Sequence, residues 1–154
     1  MPDQPRLLKI LAVSSGGGHW IELLRVLPAF AQGEVVLATV KPEYQRDVPG
    51  AALHVIPDAT RWNRLGLLKL ALRVLWVVLR VRPDIIVTTG AAPGYFSLRF
   101  GRWLGARTIW IDSIANVDEL SMAGQMAGRF ADLWLTQWPH LARPDGPEYA
   151  GAVL

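Results

Sequence analysis

An α/β fold, a doubly wound, Rossmann-like parallel sheet of about six strands, follows from three features of the sequence. Short runs rich in Val, Ile and Leu recur along the chain, without the polar alternation of a half-exposed strand, as expected of strands covered on both faces. Segments with helical spacing of apolar residues separate them. Glycine clusters stand where an apolar run gives way to a helical segment, the usual place of a strand-to-helix turn.

Taken in order, Arg6 to Val13 reads as the first strand, Ser14 to His19 as a glycine loop and Trp20 to Ala31 as a helix. Glu34 to Val40, Leu53 to Ile56 and Asp84 to Thr89 are further strands, the last introduced by Pro83. Arg107 to Ile111 and Leu133 to Gln137 complete the set. Helical segments lie near Leu65 to Val81, Gly94 to Leu104 and Leu120 to Ala131. At 154 residues, 51% of them hydrophobic, the chain suits one domain with a substantial core, 1–154. Residues 138–154, with Pro139, Pro144, Gly146 and Pro147, read as an irregular tail and a segment on which a partner docks.

Cysteine is absent, which excludes a disulfide framework and thiolate metal sites. Met1 to Lys9 lacks the basic start and apolar run of a signal peptide, so a cytoplasmic location is expected. The net charge is only +3, but its distribution is uneven. Arg61, Arg64, Lys69, Arg73, Arg80 and Arg82 fall between Ala59 and Arg82 with no acid among them. Such a patch attracts the phosphates of nucleic acid, of lipid headgroups or of a diphosphate substrate; composition does not choose among these.

In an open parallel sheet, ligands bind beyond the carboxyl ends of the strands, at helix N-termini. Two glycine loops occupy that position: Ser14 to His19, and Thr88 to Gly94. Neither matches the P-loop pattern, and the first lacks the spacing of the dinucleotide fingerprint with its acid about 20 residues on, so ATP hydrolysis and NAD chemistry are weakly supported. The loops are either phosphate cradles or plain turns. His19, beside three glycines at a helix start, is either a general base near neutral pH or a packed or capping residue. Asp112 directly follows a strand, so the sheet brings it to the same edge, where it either orients His19 or caps a helix with Ser113.

A helix over Leu65 to Val81 places Lys69, Arg73 and Arg80 within about 40° of one another and leaves nearly every other direction apolar. It falls short of a transmembrane span, which needs about 20 apolar residues. Either it lies at a bilayer interface, its basic groups reaching headgroups, or it is a core helix with a solvated stripe.

SSGGGHWIELLRVLP, RPDIIVTTGAAPG, WIDSIANVDELSMAGQMAGRFADLWLTQWPHL and YAGAVL together resemble the acceptor-side subunit of bipartite UDP-GlcNAc transferases. That family includes asparagine-linked glycosylation protein fourteen of eukaryotes and bacterial polysaccharide-biosynthesis homologues. The resemblance implies the N-terminal half of a GT-B glycosyltransferase, an enzyme inactive until joined by a donor-binding subunit that carries most of the UDP-sugar contacts. It implies no cofactor or metal in this chain, no nucleic-acid partner, and a polyprenyl-diphosphate-linked saccharide as acceptor. The implied place is the inner face of the plasma membrane, with Lys69, Arg73 and Arg80 on the lipid. It also implies His19 as base, Asp112 as its acidic partner, and Ser15, Gly16, Gly17, Gly18, Gly90 and Gly94 as contacts of the acceptor diphosphate. Eukaryotic relatives typically carry Glu at the place of Asp112, a basic residue near Asn116 and an N-terminal membrane anchor. The rival readings are a non-catalytic membrane scaffold and a stand-alone nucleotide-binding enzyme.

Overall fold

The computed structural model describes residues 5–153; Met1 to Gln4 and Leu154, which touch the leader and YAGAVL readings above, lie outside them. Seven parallel strands form one sheet: β1 (Lys9–Val13), β2 (Glu34–Thr39), β3 (Ala52–Val55), β4 (Ile85–Thr88), β5 (Arg107–Ile111), β6 (Leu133–Thr136) and β7 (Glu148–Tyr149). Their order is β3-β2-β1-β4-β5-β6-β7. Four helices connect them: α1 (Gly18–Val26), α2 (Arg64–Val81), α3 (Ala91–Trp103) and α4 (Met122–Ala127).

The doubly wound parallel sheet predicted from the sequence is the fold observed. Its central strands are apolar on both faces because both are covered. Ile10, Ala12, Leu37, Val87 and Ile111 pack with Trp20 and Leu23 of α1 on one face. On the other, Leu11, Val13, Val36 and Ile86 meet Leu70, Val74 and Val78 of α2, Leu98 of α3 and Ala127 of α4. Burying each Val, Leu or Ile side chain among them contributes about 1.5–3 kcal/mol.

Local chemistry sets the helix ends. Asn63 caps α2 by accepting from the Gly66 amide at 2.9 Å, and Arg82, left-handed at φ 50°, ends it ahead of Pro83. α1 gives way at Val26 to a 3₁₀ turn over Leu27–Phe30, earlier than the expected end at Ala31. Pro28 has no N–H to continue the helix. α3 starts at Ala91, three residues before the expected Gly94, because Pro93 is tolerated in a first turn.

The tail corrects one expectation: residues 138–154 are not simply irregular. Glu148 and Tyr149 pair with Leu135 and Thr136 as the seventh strand. Beyond it, the Val153 amide donates to Gln137 Oε1 at 2.9 Å, and Arg25 donates to the Val153 carbonyl at 3.0 Å.

Candidate functional site

The chain leaves β1 towards β2 across one face and leaves the adjacent β4 towards β5 across the other. This reversal opens a crevice at the carboxyl ends of β1 and β4, where ligands of such sheets bind. Both glycine loops end there. Gly17, at φ 66° and ψ −131°, turns the first loop into α1, and His19 is the second residue of the helix. In the second loop Gly90 has φ 128° and Ala91 has φ 64°. Left-handed alanine at a helix start stores strain of the kind concentrated at functional sites.

His19 and Thr89 hold each other across the crevice. The Thr89 hydroxyl donates to the His19 carbonyl at 2.6 Å, and the Thr89 carbonyl lies 2.8 Å from His19 Nδ1. A carbonyl only accepts, so Nδ1 carries the ring hydrogen and Nε2 keeps the basic lone pair. The side chain is 29% exposed, so the ring is partly open to solvent. Gly90 makes the approach possible: a Cβ there would come within 2.9 Å of His19 Cε1.

Asp112, expected beside His19, bonds within its own loop. Buried at 1% exposure, it accepts from Trp110 Nε1 at 3.0 Å, Asn116 Nδ2 at 3.1 Å, the Ser121 amide at 2.9 Å and the Ser121 hydroxyl at 2.6 Å. Its oxygens are used in folding the loop between β5 and α4. The carboxylate beside His19 is Glu22, whose Oε2 lies 4.0 Å from Nδ1. Its spacing of three residues, which puts two side chains on one helix face, could have drawn attention to it. Thr89 is the other residue missed, because its carbonyl does the work and backbone roles leave little mark on sequence.

The glycines expected at the diphosphate divide. The Gly17 amide already donates to the Tyr44 hydroxyl at 2.9 Å, and the Gly90 amide to Thr88 Oγ1 at 3.2 Å. Gly94 is buried, and a Cβ there would overlap the Thr88 side chain, so it lets α3 lie close on β4. Ser15, Gly16 and Gly18 stay at the crevice. Lys41, just after β2, lies beside them: its Cε is 3.5 Å from the position a Gly16 Cβ would take, and its ammonium is 5.7 Å from the Tyr44 ring centre. A lysine immediately after a parallel strand falls on the ligand edge by the same rule that placed Asp112 there.

α2 turns Leu70, Val74, Val77, Val78 and Val81 inwards and exposes Leu65, Leu68, Leu72, Trp76 and Leu79, Leu65 to 73%. Lys69 and Arg80 flank this stripe in solvent. Arg73 instead lies over the Trp76 ring at 4.3 Å and donates to the Val55 carbonyl at 3.4 Å. Burial first, then the charges of Arg73 and Arg80, hold the nearby His54 below the usual imidazole range. No helix among the described residues is long and apolar enough to cross a membrane, and none of their His, Asp and Glu side chains gather in threes fit to hold a metal ion. Trp138, at the start of the tail, donates to the Ile114 carbonyl of the loop after β5 at 2.8 Å.

A hollow of about 720 Å³ opens at the opposite end of the sheet among Leu8, Leu79, Arg82, Asp84 and Arg107, away from His19. At the crevice, Gly17 and Gly18 are exposed and His19 is partly buried.

Among solved structures, the fold is similar to Acinetobacter baumannii MurG, with a TM-score of 0.75 at 14% identity over 95% of this chain and 46% of that one. It is also similar to UDP-N-acetylglucosamine 2-epimerase of Rickettsia bellii, with a TM-score of 0.72 at 11% identity over 96% and 46%. The chain thus spans less than half the length of either. In sequence it is 26% identical to the UDP-N-acetylglucosamine transferase subunit ALG14 of Yarrowia lipolytica, over 95% of this chain and 81% of that protein. Against the mouse subunit of the same name it is 25% identical over 87% and 77%. With residues 64–153 matching the family profile described as "Oligosaccharide biosynthesis protein Alg14 like", the chain belongs to the Alg14-like family.

Proposed function

We propose that this chain is the acceptor-binding half of a two-chain UDP-GlcNAc transferase, working on the inner face of the plasma membrane with a separate donor-binding chain. The observation that carries the reading is the His19–Thr89 pair at the sheet's reversal point, which fixes the tautomer of a solvent-reaching imidazole in a chain of the Alg14-like family. Glycosyl transfer needs a base at the acceptor hydroxyl and a cleft that brings the donor in line with it. The sheet supplies one wall of such a cleft. That Gly17 and Gly18 at the crevice are exposed fits a site completed by a second polypeptide.

In this reading the acceptor is a saccharide on a polyprenyl diphosphate. Ser15, Gly16 and Gly18, at the N-terminus of α1, hold its diphosphate through backbone amides and the positive end of the helix, and Lys41 adds a cation. Gly17, Gly90 and Gly94 give the loops their shape. The polyprenyl tail stays in the bilayer, on which the exposed stripe of α2 rests with Lys69 and Arg80 at the headgroups. Arg73 sits at the edge of that contact. The acceptor sugar hydroxyl attacks the anomeric carbon of the donor, and His19 Nε2 receives its proton.

The purified chain should therefore transfer no sugar from UDP-GlcNAc to a polyprenyl-diphosphate saccharide, and co-expression with its donor-binding partner should restore transfer. Turnover by this chain alone, or tight UDP-sugar binding by it alone in calorimetry, would overturn the two-chain reading.

A further inference from the structure

A buried carboxylate is costly unless hydrogen bonds or an opposite charge offset its desolvation. Glu22, in the second turn of α1, is 4% exposed and only half provided for. Its Oε1 accepts from the Ile114 amide at 2.7 Å, Gln137 Nε2 at 2.9 Å and the Ser113 hydroxyl at 3.3 Å. Its Oε2 is sealed from solvent and has no hydrogen-bond partner. That oxygen lies 4.0 Å from His19 Nδ1.

We infer that Glu22 is the positioning residue of the base: a carboxylate anchored through one oxygen and held, through the other, against the imidazole of His19. The inference rests on the transferase reading of His19. Before reaction the ring is neutral, its Nδ1 hydrogen on the Thr89 carbonyl, and Glu22 gains little from it. During transfer the acceptor oxygen forms its bond to the sugar carbon as the bond from that carbon to UDP breaks. The bonding pair leaves with UDP, and the hydroxyl proton passes to Nε2. The ring then carries a full positive charge spread over both nitrogens, and Glu22 Oε2 stabilises that state and not the one before it. Such differential stabilisation accelerates the step. Burial strengthens it, because little water screens the pair. Anchoring matters too: donors from the loops after β5 and β6 stop the carboxylate from turning away. Asp112 has no oxygen to spare for this role.

A purely structural Glu22 would only tie α1 to those two loops, so the test must separate charge from anchoring. Glu22→Gln keeps an oxygen for the three donors and removes the charge. In the reconstituted pair it should lower kcat about 10- to 100-fold, a part of what a general base contributes, and leave KM for the lipid acceptor unchanged. In a His19→Ala background the same substitution should change nothing, since the imidazolium it acts on is gone. Co-purification with the donor chain and the melting temperature, read on the same samples, report folding. An equal loss in both backgrounds, a wild-type kcat in Glu22→Gln alone, or failure of that variant to assemble would overturn the inference and leave the base assignment standing. If His19→Ala itself turns over like wild type, the transferase reading of His19 fails, and the positioning role with it.

Discussion

In the crevice between β1 and β4 directional bonds hold His19 to Thr89, Gly17 to Tyr44, Gly90 to Thr88, and one oxygen of Glu22 to two loops, while Ser14 Oγ and Glu22 Oε2 are buried without a partner. On the outer face of α2 such bonds are few: Arg73 donates to the Val55 carbonyl at 3.4 Å. Leu65, Leu68, Leu72 and Leu79 stand in solvent beside Lys69 and Arg80, and Arg73 with Trp76 are the residues there that partner each other. Directional bonds in the first region fix one imidazole tautomer and one ring position, which chemistry requires. Uncovered apolar area in the second is non-directional, suiting a fluid surface that any rotation of the helix about its site can satisfy. Damage to the two regions should therefore show up in different measurements.

The largest effect is expected at Gly90. Alanine there would put a Cβ against the His19 ring and force a side chain into φ 128°, strain costing about 1–3 kcal/mol, with loss of turnover because the ring is displaced. Gly18→Ala is the control. It meets nothing within 4 Å and should shift stability by no more than about 0.5 kcal/mol. Equal effects on thermal melting would break the claim that the crevice is preorganised around His19.

Next comes Asp112→Asn. An amide must turn its NH2 towards two of the four existing donors, since each oxygen accepts from two, so the β5–α4 loop should lose about 1–3 kcal/mol, read as a lower denaturation midpoint. Turnover per folded pair should fall less than in His19→Ala. A fall as large, with stability intact, would return Asp112 to the chemistry.

On the α2 face, replacing Lys69 and Arg80 by Gln should weaken binding to anionic vesicles by roughly 1 kcal/mol for each charge near the surface, less at high salt. Melting should not change, as both side chains are exposed. Vesicle flotation indifferent to both charge and salt would mean that this face meets a protein.

The smallest effect concerns Asp84, at the opposite edge from the crevice. The Lys9 amide, then the Arg6 guanidinium, hold its carboxyl below the usual range. The folded-state value is thus lower than the unfolded one. Its contribution is complete above the ordinary carboxylate pKa of about 3.9 and disappears as pH falls through the folded-state value. Asp84→Asn should melt lower than wild type at neutral pH, and the two curves should converge on acidification. A constant gap across pH would refute the linkage.

Six of the seven strands were legible because buried parallel strands are written as unbroken apolar runs such as KILAV and IIVT. β7 was not. Two residues in a stretch rich in Pro and Gly carry no period, and their pairing depends on β6 already being in place. α4 is shorter than its apolar spacing, Met122–Ala127 with a 3₁₀ turn after it against an expected Leu120 to Ala131, since that spacing outlasts the helix through Gly128. The crevice was half legible: strand-end rules brought His19, Gly90 and Asp112 to one edge, but an edge is several strands wide. Which carboxylate faces the imidazole is set by side-chain direction. Asp112 turns back into its own loop, while Glu22 reaches His19 from within one helix.

The most direct test of the account compares His19→Ala with wild type in the reconstituted two-chain enzyme, following sugar transfer from UDP-GlcNAc to a polyprenyl-diphosphate saccharide at saturating donor and acceptor. A general base contributes about 10²- to 10⁴-fold, so turnover should fall by that much while the variant still co-purifies with its partner and floats with vesicles. Turnover near the wild-type rate would contradict the account: the crevice would then be a binding surface, and the chemistry would belong to the other chain.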